Sequence, residues 1–492
     1  MADDAPHLTK QVNRGVAWAA SAQAVIAVAD MVSQLLVVAL WFTSTDYGIV
    51  VKALAFYPML DTAADLGVTS SVVQLDDHTP ERLSTVFWFN MLVSGGLFVL
   101  LAILGPLYGL LQGHRVVGLL LIAYGGKLVF QNVYAIPFAL LRKELRFAEI
   151  AKARVAAHLA ESVARVVFAC LGLTIWCFTL AALTRVLVFG VIVQLRHPFI
   201  PRLVFRPREV TAYVRFGLRS AASQVLYQLY TNLDYPIVGY FFGDAALGIY
   251  AAAYMIILEP VKTIANVVID VAFPTFAKLR ADRPALIAQF LAFTRLNLIA
   301  VLPYVALVAL VIPELLHLTY GHGKWTPHQL SLCAEAVRIL CIVGVLRALG
   351  FIGPPLLDGV GRPERTLRYM VVAAVFVPGA FLVGALALGD ALGFLSVAVA
   401  WAVGYPIAFG VLMYTITTTI ELPVGAYARA AWGIVGSCAA GVATGSAVSL
   451  ALADAGDLAR LLAISAVFVA TTAALLATWQ KITPRSIAAA LR

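Results

Sequence analysis

Lys262, Asn266 and Asp270 recur every four residues, and Glu259 stands three positions before the first of them. On a helix that spacing gathers an ammonium, a carboxamide and a carboxylate on one face. Upstream, Gln224, Gln228 and Asn232 keep the same interval, and Asp234 follows two positions on. Such groups bind a cation, pair with an opposite charge, exchange a proton or hydrogen-bond water or a ligand. Both polar faces are set in otherwise apolar sequence, so their chemistry depends on what surrounds them.

Composition identifies those surroundings. Of 492 residues, 62% are hydrophobic and 12% charged, and the mean hydropathy is +0.91. Soluble domains carry about 25% charged residues, and a chain this apolar could not cover its surface in water. The reading is an all-α polytopic membrane protein. The N-terminal MADDAPHLTKQVNRG has no short apolar core with a cleavage site, so the first apolar run is expected to remain as a span. Cys170, Cys177, Cys333, Cys341 and Cys438 lie in or beside apolar runs without metal-ligand spacing, which predicts buried, inert thiols.

Crossing the hydrocarbon takes about 20 residues. Fourteen runs qualify: 16–42, 49–73, 85–107, 117–141, 155–173, 176–195, 216–242, 249–272, 291–312, 332–357, 369–389, 394–418, 431–452 and 460–480. With Lys10 and Arg14 inside, alternate loops are strongly basic, while the outer loops hold only Arg115 and Lys324. The positive-inside rule then predicts both termini in the cytoplasm. The net charge of +9 thus marks topology and not a nucleic-acid partner. No loop can hold a catalytic domain. The longest outer one, with His317, His322 and His328, reads as interfacial and not as a metal site. Walker A, HExxH, paired CxxC and nucleophile-elbow patterns are absent, which excludes direct drive by ATP and the common hydrolytic chemistries. No catalytic residue and no cofactor are expected.

A repeat organises the spans. Gly48, Ile49 and Ala53 match Gly248, Ile249 and Ala253 at an offset of 200, and RGVAWAASAQ (14–23) is similar to FGLRSAASQ (216–224). Six intervening spans keep the copies parallel, as in transporters built from two like halves. The expected division is a first lobe over 1–200, a second over 201–420, and two accessory spans with a tail over 421–492.

An ionised group at the bilayer centre costs at least about 2.5–3.5 kcal/mol, so it should face water or a partner. Some charges have local explanations. Glu161 with Arg165, and Glu335 with Arg338, have the spacing of intrahelical pairs. Arg219 and Arg295 can snorkel, and Asp65 can anchor a loop. The candidates for substrate contact are Lys52, Lys127, Arg185, Asn232, Lys262, Asn266 and Arg347. Those for ion coupling are Asp30, Asp61, Asp234, Glu259 and Asp270. Spans beyond residue 369 have no core charge, so they should pack against lipid. The expectation is a hydrated chamber between the lobes, walled mainly by spans 1, 2, 7 and 8.

Six stretches occur in order: STVFWFN (84–90), LRKELRF (141–147), LGIYAAAY (247–254), VAFPTFAKLRAD (271–282), GHGKW (321–325) and IVGVLRALG (342–350). With TDYG and DLG near 45–48 and 65–67, they resemble the Wzx-type polysaccharide flippases, in the colanic-acid-exporter-like branch of the multidrug/oligosaccharidyl-lipid/polysaccharide exporter superfamily. The resemblance covers about residues 10–365; beyond that only hydrophobicity and span count match. It implies fourteen helices, alternating access and translocation of an undecaprenyl-diphosphate-linked oligosaccharide across the bacterial inner membrane. It places Arg347 and Asp65 in family stretches but assigns no catalytic residues. Implied partners are membrane lipids, the polysaccharide polymerase and the chain-length regulator; Na+ or H+ coupling is expected. Alternatives on the same fold are a cation-coupled exporter of small amphiphiles and a peptidoglycan-precursor flippase. A membrane polysaccharide polymerase fits the short loops poorly.

Overall fold

Backbone in hydrocarbon must bond to itself, and every regular element among the described residues is helical. The computed structural model describes residues 23, 25–65, 72, 79–144, 146–206 and 223–480, without the side chain of Asp270. Arg219, Lys10, Arg14, most of the second repeat pair and the end of DLG lie outside these residues.

The helices are α1 (Val25–Trp41), α2 (Ser44–Leu54), α3 (Tyr57–Asp65), α4 (Pro80–Leu111), α5 (Arg115–Lys143), α6 (Phe147–Cys170), α7 (Cys177–Arg196) and α8 (223–232). There follow α9 (Asp234–Leu279), α10 (Arg283–Tyr320), α11 (Pro327–Gly350), α12 (Gly353–Gly359), α13 (Pro363–Leu392), α14 (Leu395–Ile420), α15 (Val424–Ala451) and α16 (Asp457–Thr478). Each of the fourteen expected stretches is mainly helical over its described residues. Among the described residues, ten helices are long and apolar enough to cross a membrane. The expected count of fourteen exceeds this for identifiable reasons. The second stretch is divided between α2 and α3, where Pro58 lacks an amide donor and restricts Tyr57 before it. The run Ser223–Leu279 counts once, although Gly243 interrupts α9 at φ 81°, a conformation that glycine adopts without strain; α1 is described only over Val25–Trp41, and α6 carries Arg154, Glu161 and Arg165 within one span length.

Contacts divide the chain into two compact units, Met1–Pro236 and Ile237–Arg492. In the first, a capping box starts α2: the Thr43 hydroxyl accepts from the Asp46 amide at 3.1 Å and donates to the Asp46 carboxylate at 2.6 Å. The family stretch STVFWFN holds a strap. Ser84 Oγ accepts from the Arg202 amide at 2.9 Å, and Trp88 Nε1 donates to the Arg202 carbonyl at 2.8 Å. LRKELRF forms the α5–α6 corner, where Arg146 joins Glu144 at 3.1 Å and Glu149 at 2.7 Å. The guanidinium of Arg146 holds the Glu144 carboxyl below its ordinary range, helped by His197. Helices α4 and α5 touch backbone to backbone: a Cβ on Gly118 would come within 2.3 Å of the Gly105 carbonyl oxygen. Only glycine allows that approach.

In the second unit, α15 and α16 pack on α10 through Leu298, Leu302, Ile434, Cys438 and Leu476. Arg460 at the start of α16 pairs with Glu314 of α10 at 2.9 Å. The charge-poor α13 exposes Val375, Val383 and Leu386, as a helix against lipid does. The repeat positions Gly48, Ile49, Ala53, Gly248, Ile249 and Ala253 are all buried. Four cysteines are buried as expected, but Cys170 is exposed where α6 ends.

Candidate functional site

The first unit encloses a cavity of about 590 Å³. Its wall carries four fixed cations, Lys127, Arg142, Arg154 and Arg185, against the carboxylates of Asp61 and Asp65. Each helix has its own reason to deliver them. Arg142 falls in the last turn of α5, where a cation meets the negative end of the helix dipole. Arg154 and Arg142 both lie over the Phe138 ring, at 5.6 and 5.8 Å, so cation–π attraction gathers two guanidiniums on one wall.

Deeper in the cavity, Lys127 is 1% exposed and donates to Asp61 Oδ1 at 2.5 Å. Tyr124 Oη donates to Asp61 Oδ2 at 2.7 Å and accepts from Lys127 at 2.9 Å. Tyr57 stacks on Tyr124 at 3.4 Å between ring centroids. Two tyrosine rings therefore fix the pair, and the break at Pro58 sets the path of the short α3 that carries Asp61. Gln131 and Asn132 add carboxamides to the wall. Asn132 Nδ2 donates to Ser94 Oγ and, at 3.2 Å, to the Asn90 carbonyl.

Behind this wall stands a second ionic cluster. Arg154, His158 and Ser162 recur every four residues, and Glu161 and Arg165, themselves four apart, lie three beyond His158 and three beyond Ser162, so all five share one side of α6. His158 Nδ1 lies 2.8 Å from Asp30 Oδ2 of α1, and Ser162 Oγ donates to Asp30 Oδ1 at 3.0 Å. Arg165 donates to Ser33 Oγ at 2.6 Å. Glu161 meets Arg165 at 3.4 Å, Arg185 at 3.3 Å and His158 at 3.6 Å. The expected intrahelical Glu161–Arg165 pair exists, but it is not private: Glu161 is a node that ties α6 to α7. His158 and Arg185 also line the cavity, so the two clusters share a wall.

The structure thus brings together Asp30, Asp61, Lys127 and Arg185 of the predicted set. The remaining candidates lie elsewhere. Lys52 is buried on α2 and does not line this wall. Asn232 donates to the Gln228 carbonyl of its own helix at 2.8 Å. Asp234 is 0% exposed at the start of α9, where Oδ1 accepts from the Tyr235 amide at 3.0 Å. Lys262 pairs with Glu259 at 3.7 Å, and Asn266 is exposed. The side chain of Asp270 lies outside the described residues. Arg347 is 2% exposed and donates to Tyr254 Oη at 2.8 Å. Its guanidinium also lies 5.5 Å from the Phe351 ring and 5.4 Å from the Trp401 ring.

The expected walls need correction for this cavity. Only spans 2 and 7, through Asp61 and Gln224, contribute as foreseen; spans 4, 5 and 6 supply the cations. Sequence reasoning missed His158, Ser162, Arg142, Arg154 and Tyr124. The α6 ridge was detectable from its spacing, whereas nothing local marked Tyr124.

Helical spans around a charged cavity define a multi-pass membrane protein of the transporter type. A family model described as "Polysaccharide biosynthesis protein" matches residues 37–329, and the chain belongs to that family. It is 26% identical over 434 residues to the teichuronic acid biosynthesis protein TuaB of Bacillus subtilis (strain 168), covering 86% of each chain. It is 26% identical over 406 residues to the lipopolysaccharide biosynthesis protein WzxC of Escherichia coli (strain K12), covering 79% of each. Its fold is shared with the lipid II flippase MurJ in an inward closed conformation, at a TM-score of 0.75, 13% identity and coverage of 94% of this chain and 98% of that one.

Proposed function

We propose that this chain is a flippase for an undecaprenyl-diphosphate-linked oligosaccharide, serving exopolysaccharide or lipopolysaccharide biosynthesis. It moves the unit from the cytoplasmic to the periplasmic leaflet of the inner membrane by alternating access, catalyses no covalent step, and hands its cargo to the polymerase and chain-length regulator. The observation that carries this reading is the cavity wall with Lys127, Arg142, Arg154 and Arg185. A diphosphate needs closely set cations, and planar guanidiniums match phosphate oxygens in pairs. Gln131 and Asn132 offer donors and acceptors suited to sugar hydroxyls. Membership of the family and the fold shared with a flippase support the same conclusion.

The basic loops support cytoplasmic termini. Asp30 and Asp61 are the carboxylates best placed to couple transport to Na+ or H+, because each is joined to a group that lines the cavity. The polar stripe of Lys262 and Asn266, with Glu259 and Asp270, belongs to the second lobe in this scheme, as do Asn232, Asp234 and Arg347, while Lys52 stays a secondary candidate of the first.

The test is a leaflet-sidedness assay. Purified protein is reconstituted in vesicles with a lipid-linked oligosaccharide, and a membrane-impermeant sugar-modifying reagent reports which leaflet holds it. Wild type is expected to equilibrate the two leaflets faster than empty vesicles, and Arg154→Ala more slowly than wild type. No acceleration by wild type rejects the proposal.

A further inference from the structure

His158 lines the cationic cavity and keeps 22% of its side chain exposed. Its Nδ1 is engaged: Asp30 Oδ2 of α1 lies 2.8 Å away, and Ser162 donates to the other oxygen of the same carboxylate at 3.0 Å. A carboxylate held against Nδ1 keeps a proton on that nitrogen and leaves Nε2, across the ring, as the edge that can take up or give a proton. Among the described residues no group bonds Nε2. Asp30 does not line the cavity, whereas His158 does. An anion in the cavity therefore meets the imidazole and not the carboxylate behind it.

The charges around the ring set what Nε2 can do. On α6 itself, Arg154 stands one turn before His158, and Glu161 lies 3.6 Å from Nδ1 with Arg165 beyond it at 3.4 Å. Arg185 of α7 reaches the same Glu161 at 3.3 Å. Lys127 and Arg142 of α5 and Asp61 and Asp65 of α3 complete the ionic wall. Both carboxylates beside the ring, Asp30 and Glu161, meet Nδ1 and not Nε2.

A neutral ring offers a phosphate oxygen only the lone pair of Nε2, which repels it. A second proton turns that edge into an N–H donor with a positive charge. Imidazole is the side chain that ordinarily changes charge between about pH 5 and 8. Resting on the flippase reading above, we propose that His158 is a substrate ligand of this wall: as a diphosphate diester binds, Nε2 takes a proton from water and donates it in a hydrogen bond to a phosphate oxygen. No covalent bond of the substrate changes, and the proton returns to water when the substrate leaves. Substrate binding and proton uptake then favour each other by the same factor.

The probe is dimethyl diphosphate with one methyl ester on each phosphorus. Like the lipid-linked substrate it is a diester, and its charge stays constant over this range, so any proton taken up goes to the protein. Inorganic diphosphate itself titrates there. Calorimetry on the full-length wild type near pH 6.5, in two buffers of different ionisation enthalpy, is expected to show net proton uptake. Affinity is expected to rise about tenfold from about pH 8 to about pH 5.5. His158→Asn places an amide donor where Nδ1 stands, so it keeps a partner for Asp30 and has nothing at Nε2. It is expected to match wild type within about threefold at pH 8 and to lose the gain in acid. His158→Gln, which reaches the Nε2 position with an uncharged amide, is expected to lose the slope as well. A wild-type slope in both variants assigns the proton to the carboxylates and overturns the proposal. Binding by wild type without proton uptake overturns it too, a result that needs no variant to fold. Either outcome leaves the flippase reading standing. If wild type fails to bind the diester at every pH, that reading fails together with the role of His158.

Discussion

Two buried cations, Lys127 in the first unit and Arg347 in the second, show that charge at membrane depth has more than one use. Lys127 is paired with Asp61, yet that pair faces a cavity with three further guanidiniums in its wall. Arg347 donates to a tyrosine hydroxyl among the rings of Tyr254, Phe351 and Trp401. Both were equal candidates in the sequence, being cations in the middle of apolar runs. Their difference lies in the neighbours: a space that admits a ligand beside one, aromatic faces closely packed around the other. The first arrangement suits reversible binding of an anion; the second locks helices together.

The largest expected effect separates these roles directly. Lys127→Ala with Asp61→Ala removes the pair without leaving either charge alone, and with it one charge-assisted contact of about 1.5–3 kcal/mol to a bound diphosphate. Titration with inorganic diphosphate should show a loss of affinity of about 10- to 100-fold; unchanged affinity would remove Lys127 from the binding wall. Arg347→Ala should instead lower thermal stability by about 3 kcal/mol, since a large buried side chain is lost and Tyr254 loses a donor. Its diphosphate affinity should stay within about twofold, and a large drop would erase the contrast. Arg347→Lys keeps the charge but loses the planar stacking, and should cost about 1 kcal/mol of stability by the same melt.

Smaller effects belong to the rim. Arg154→Ala leaves Arg142 over Phe138, so diphosphate affinity should fall only about threefold. At the α5–α6 corner, Glu144→Gln should change stability by about 0.5 kcal/mol, because the pair with Arg146 is exposed. The sign with pH follows from the lowered carboxyl of Glu144. Its contribution is complete above the ordinary carboxylate range and is lost as pH falls through the depressed value. A melting series into acid should therefore slope less in Glu144→Gln than in wild type.

Most of the architecture was legible because apolar runs, basic loops and turn residues act locally. The charge-poor α13 was expected, whereas the Pro58 break divides a stretch that was read as one span, although proline acts on its nearest neighbours. The site was legible only in part. Asp61, Lys127 and Arg185 were singled out because charge in an apolar run is conspicuous by itself. Their association with Tyr124, His158 and Arg142 depends on helices meeting across long sequence separations, which spacing along one helix does not encode. Glu161 illustrates the limit: its nearest opposite charge in sequence was identified, and its two further partners were not.

The contact of Gly105 with Gly118 constrains how the chamber can change shape. Backbones that touch without intervening side chains have no room to slide, so α4 and α5 travel as a single beam. Any opening or narrowing around Lys127 then falls to the other elements of the wall: α3 with Asp61, α8 with Gln224, and α6 and α7, which are joined by ionic contacts.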